Sequence, residues 1–135
     1  MTHINIFLRM ILIACVFGNL LGCTVMKTKQ ELRQAEFKEE NVALNGNYQL
    51  LLKCWDDKAE RLTINFVNQT FTQIYSDIGV AEISAGGTGG LYAVIIELRR
   101  ATGDTTIANA YGTGAIGAQK IPEWMALLRS CQPKM

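Results

Sequence analysis

The sequence predicts an α+β fold: an antiparallel sheet of about five strands, covered on one face by an N-terminal and a C-terminal helix. Three observations carry that expectation. Tyr48, Leu51, Leu52, Trp55 and Ala59 recur at three- and four-residue spacing, which places them on one helix face. From Leu62 to Gly112 the apolar period falls to two, in short runs separated by turn residues. After Pro122, helical spacing returns with Trp124, Leu127, Leu128 and Cys131. The chain has 135 residues, of which 49% are hydrophobic and 19% charged, with a formal net charge of +1. These values describe one globular domain and not a disordered chain. The small net charge lacks the positive excess of a nucleic-acid-binding domain.

The first segment reads as an address. Arg9 precedes a short apolar run from Met10 to Leu21, the pattern of a secretory signal. The run is shorter than the roughly 20 apolar residues that a membrane span needs. Strongly polar sequence from Lys27 to Glu40 follows it, which argues against a buried N-terminal helix. The run closes on Leu20-Leu21-Gly22-Cys23, which resembles the lipobox of bacterial lipoproteins. Leu20 and Gly22 match that pattern, while Leu21 stands where a small or β-branched residue is more usual. The resemblance implies cleavage before Cys23 and lipidation of its sulfur. Thr24, where an Asp would retain a lipoprotein in the inner membrane, implies the Gram-negative outer membrane as destination. Two or three acyl chains anchor stably, whereas one alone is marginal. The resemblance ends at Cys23 and implies nothing about the domain beyond it.

Cleavage there removes Arg9 and His3, the only histidine, and leaves the mature chain neutral. Ser-His-Asp, Cys-His and histidine-metal chemistry are then unavailable. The expected organisation is a signal peptide over 1–22, a lipidated cysteine with a charged tether over 23–44, and a single α+β domain over 45–135.

From Lys27 to Asn41 the apolar residues Leu32, Ala35 and Phe37 are sparse among charges. They make a poor stripe for a partner-binding helix, so a spacer with some helical tendency is the expectation. Asn45-Gly46-Asn47 signals a turn, with Asn47 as N-cap of a helix over Tyr48 to Ala59. Asp56, Asp57, Lys58 and Glu60 form its polar side. Strands are expected over Leu62 to Val67, Thr70 to Ser76, Val80 to Ser84, Leu91 to Arg100 and Thr105 to Gly112. The unbroken apolar run Leu91 to Ile96 marks a central strand. Thr102-Gly103-Asp104 reads as a hairpin turn, and Gly112 to Gly117 as a flexible connection. Pro122 is expected at the first position of the last helix.

Signal cleavage removes Cys15 and lipid consumes Cys23, so Cys54 and Cys131 remain. An even count in an oxidising compartment predicts one disulfide between them. Loop-closure entropy alone would then contribute about 4.5 kcal/mol. The alternative is two buried free thiols. The spacing excludes a Cys-x-x-Cys redox site, and two cysteines fall short of the four ligands of a structural zinc.

Other motifs carry less. Gly86-Gly87-Thr88-Gly89-Gly90 lacks the Gly-Lys-Ser/Thr of a phosphate loop and precedes a strand. Tyr111 to Gly117 lacks the acidic partner of a dinucleotide site. Asp56, Asp57 and Glu60 read as a solvated face. Glu97, which follows a buried run, is expected to point outward or to pair with Arg99. No serine lies in a Gly-x-Ser-x-Gly elbow.

The expected role is a non-enzymatic binding or assembly accessory, anchored to the outer membrane and facing the periplasm. It would have an envelope protein as partner, no nucleic acid, no cofactor and no metal. Val80 to Ser84 is the expected exposed edge for a partner strand. The alternatives are a surface-exposed lipoprotein binding a host or phage factor, and a carboxylate-based glycan or peptidoglycan enzyme.

Overall fold

A computed structural model of the chain describes residues 26–59, 69–87 and 89–134. In chain order the elements are α1 (Lys29–Leu32), β1 (Phe37–Asn45), α2 (Tyr48–Lys58), β2 (Gln69–Tyr75), β3 (Val80–Gly86), β4 (Tyr92–Arg100), β5 (Thr105–Gly112) and α3 (Gly114–Ser130). The five strands form one antiparallel sheet in the order β1-β5-β4-β3-β2.

Helices α2 and α3 cover one face, as the fold class predicted. Asn47 caps α2, its side chain accepting from Gln49 N–H at 2.9 Å. Leu51, Leu52 and Trp55 of α2 pack on Ala81, Ile83, Val94 and Ile96, with Trp124, Met125 and Leu128 of α3 completing the core. Trp55 and Trp124 meet edge to face, with ring centroids 5.0 Å apart, the geometry that sets one ring's positive edge on the other's negative face. Cys54 and Cys131 form a disulfide with Cα atoms 5.8 Å apart. It ties α2 to the residue that caps the C-terminus of α3.

Four expectations need correction. The charged stretch assigned to a tether is built into the fold: residues 29–32 form α1, and Phe37–Asn45 is strand β1, paired with β5. Its pairing register breaks between Glu39 and Val42, where Asn41 takes a left-handed φ of 58° and donates its N–H to Asn109 Oδ1. Phe37 and Glu39 face the helices before this bulge, and Val42 and Leu44 after it, as their partners on β5 show. The extra residue switches which parity points inward.

Second, Val80–Gly86 is no edge: β3 lies between β2 and β4, because both of its neighbours hydrogen-bond to it. Third, Gly114–Ser130 is one helix with Pro122 inside it. The proline removes one N–H from the ladder, on the solvent-facing side where Pro122 and Ala118 are exposed. Gly112 and Gly117, assigned to a flexible link, instead press backbone against backbone. A Cβ on Gly117 would lie 2.5 Å from the Gly112 carbonyl carbon, so α3 can start this close to β5 only because both are glycine. Fourth, Glu97 does not point outward but is buried, while the other reading of it, a pair with Arg99, holds at 3.2 Å. The strand expected over 62–67 lies outside the described residues.

Candidate functional site

The sheet face opposite α2 and α3 carries an unusual pair of side chains. On β3 and β4, Glu82 and Glu97 are direct cross-strand partners, and they are 7% and 5% exposed. Two adjacent buried carboxylates repel each other and are poorly hydrated, and close cations offset both costs. α1 supplies them. Thr28 caps this single turn through a capping box with Glu31. The turn places Lys29 and Arg33, four residues apart, over the two acids.

Lys29 Nζ donates to both oxygens of Glu82, at 2.7 and 2.8 Å. Arg33 donates to one oxygen of Glu97, and Arg99 donates to the other at 3.2 Å. Between the two cations Leu32 is fully buried, with Ala35, Ile95 and Tyr111 around it. Lys29 Nζ also lies 5.3 Å above the Tyr92 ring. Desolvation, the largest single influence on the Lys29 ammonium, lowers its pKa. The hydrogen bonds and charge of Glu82 outweigh it, so the pKa sits above the ordinary lysine value. The hydrogen bond to Glu97, followed by its charge, raises that of Arg33.

The segment after α1 is pinned as well. The Glu36 carboxylate accepts the Gly114 N–H at 2.9 Å, which is the first N–H of α3. It thereby caps a helix whose own N-cap, Thr113, makes no side-chain cap bond. That hydrogen bond from Gly114, and after it one from its own backbone N–H, hold the Glu36 carboxyl below its ordinary pKa. Tyr111 donates its hydroxyl to Glu40 at 3.2 Å, and its pKa is raised, by desolvation first and then by Glu40.

Chemically, this arrangement is a latch. Each acid is closed off by a cation from the N-terminal segment, and an apolar cluster of Leu32, Ala35, Ile95 and Tyr111 packs on the same face of the sheet. A groove of about 620 Å³ lies on the other side of the sheet, between α2 and β2, lined by Leu50, Leu52, Lys53, Asp56, Thr72 and Ile74 among others. Leu50 and Ile74 are exposed there.

The sequence-derived sites fall as follows. Cys54 and Cys131 are joined. Cys23, the residue expected to carry lipid, lies outside the described residues, as does Glu60. Asp56 lines the groove and Asp57 is exposed. Sequence reasoning missed Lys29, Arg33 and Glu82. The signal that could have found them is a lone acid in each of two apolar strands, Val80-Ala81-Glu82-Ile83 and Ile95-Ile96-Glu97-Leu98, with two cations one helical turn apart upstream.

Among the described residues, no three His, Cys, Asp or Glu side chains are placed to hold a metal ion. None of their helices is long and apolar enough to cross a membrane. No protein-family model matches the chain, and no curated protein matches it.

Proposed function

We propose that this chain is a lipoprotein of the Gram-negative outer membrane. It is anchored through acylated Cys23, faces the periplasm and serves without catalysis as a binding or assembly accessory of the envelope. The observation that carries this reading is Leu20-Leu21-Gly22-Cys23 at the close of a short apolar run. The Cys54–Cys131 disulfide supports it, because such bridges persist in oxidising compartments. The engaged state of Glu82 and Glu97 favours a structural duty for them over glycan chemistry, where one carboxylate must meet substrate. Exposed Leu50, Ile74 and Ile78 offer apolar contacts to a protein partner.

The test is Cys23→Ser. Serine lacks the thiol that forms the thioether to diacylglycerol. Loss of palmitate labelling, with release from the membrane fraction or retention of the uncleaved signal, is the expected outcome. Unchanged labelling would overturn the reading. Crosslinking in intact envelopes followed by purification would then identify the partner.

A further inference from the structure

The distance from the expected anchor to the folded domain is short. Lys27 already belongs to the sheet: its N–H donates to the Tyr92 carbonyl at 2.8 Å, and its carbonyl accepts from the Tyr92 N–H at 2.7 Å. Only Thr24, Val25 and Met26 separate Cys23 from Lys27. Four Cα–Cα steps reach at most about 14 Å, whatever their conformation. The polar headgroup layer uses roughly 5–8 Å of that reach on each side of a bilayer. The domain therefore has no room to swing away from the surface that holds its acyl chains.

The direction of approach is set as well. Tyr92 opens β4, so Lys27 marks one end of the sheet. Among the described residues, two exposed large apolar side chains lie at this end: Leu91, 38% exposed, just before β4, and Phe37, 37% exposed, at the start of β1. Gly89 and Gly90 precede Leu91, and a Cβ on either would meet nothing within 4 Å. Lys27 is itself paired with Glu36 at 3.7 Å, so the contact offered here is apolar rather than cationic. At the opposite end, Gly79 accepts from Arg100 N–H, and the neighbouring Ile78 is 67% exposed. Along β4 that end is roughly 26 Å away.

We propose that the sheet end bearing Lys27, Phe37 and Leu91 rests on the phospholipid surface of the same membrane, with Leu91 entering the headgroup layer. The end bearing Ile78 and Leu50 then faces the periplasm and is the one left open to a protein partner. This inference rests on acylation of Cys23, and its test separates the two.

Acylated protein is purified from membranes, its acyl mass is confirmed, and it is reconstituted into phosphatidylethanolamine–phosphatidylglycerol vesicles whose chains are brominated. Bromine quenches tryptophan only at short range. Leu91→Trp and Phe37→Trp report on the near end and Ile78→Trp on the far end, each corrected for buried Trp55 and Trp124 in the parent protein. The expected result is roughly twofold or greater excess quenching at position 91 or 37 over position 78, as shallow interfacial insertion gives. Equal quenching at all three positions, or stronger quenching at 78, would overturn the inference while leaving the lipoprotein reading intact. A chain without acyl mass would instead overturn the lipoprotein reading and remove the basis of the inference.

Discussion

Lys29→Met removes a cation from a buried carboxylate while keeping the length of the side chain. Breaking one partner of a fully buried ion pair costs about 3–5 kcal/mol, because the other charge is left uncompensated. Here Glu82 is buried, but the Lys29 side chain is one-third exposed, and water reaching it screens part of the attraction. The expected loss is therefore about 2–3 kcal/mol. Glu82→Gln in the same background removes the stranded charge and should recover most of that loss.

The assay is urea unfolding of the oxidised Cys23→Ser chain, followed by the fluorescence of the Trp55–Trp124 pair. The two singles and the double form a cycle whose coupling is expected at about 2 kcal/mol. Additivity within about 0.5 kcal/mol would refute the latch as an interaction between α1 and the sheet. The pH dependence has a definite sign. The folded pKa of Lys29 is raised, so its contribution is complete below about pH 10.4, the unfolded lysine value, and is lost as the pH rises through the higher folded one. The gap between wild type and Lys29→Met should hold steady from neutral pH upward and close only in strong alkali.

Three more outcomes are open to measurement. Cys54→Ser or Cys131→Ser should each cost several kcal/mol, near the 4.5 or so expected for a bridge spanning 77 residues. The double mutant should cost little more than either single, and thiol titration of the unfolded, unreduced chain should find neither thiol free. Gly117→Ala sets a methyl group 2.5 Å from the Gly112 backbone and should destabilise by about 3 kcal/mol, the upper end of overpacking costs, since neither backbone can rotate aside; a thermal melt unchanged from wild type would contradict the close approach. Glu36→Gln should cost under about 1 kcal/mol at neutral pH, because the carboxylate is half exposed. The folded pKa of Glu36 is lowered, so that difference is present above about pH 4.3 and vanishes as the pH falls through the folded value, where the two proteins should melt alike.

The helical face of Tyr48 to Ala59, the central strand from Leu91 and the disulfide were legible because each follows from a local rule: spacing, an unbroken apolar run and cysteine parity. The strand β1 was not. Its sequence Phe37-Lys38-Glu39-Glu40-Asn41-Val42-Ala43-Leu44 carries a bulge at Asn41 that swaps the inward parity, so no alternation survives for the eye to find. A charged segment then passes for a spacer. The lone acids of the latch stood out in the sequence, but which groups pair did not, for a related reason. Lys29 and Glu82 are 53 residues apart, and only the pairing of β3 with β4 sets Glu82 beside Glu97. The start of α3 was misjudged because two glycines normally signal flexibility. Here Gly112 and Gly117 permit contact between a strand and a helix, which is a tertiary reason that no window of sequence contains.

The central claim is that a lipid on Cys23 holds a folded domain whose structure begins almost at the anchor. The intact mass of the protein extracted from outer membranes tests it most directly. The account predicts a chain beginning at Cys23, heavier by a diacylglyceryl group and an amide-linked acyl chain, and lighter by the two hydrogens lost to the Cys54–Cys131 bridge. A mass corresponding to a chain that starts at Met1, or to one cut elsewhere and carrying no lipid, would contradict it.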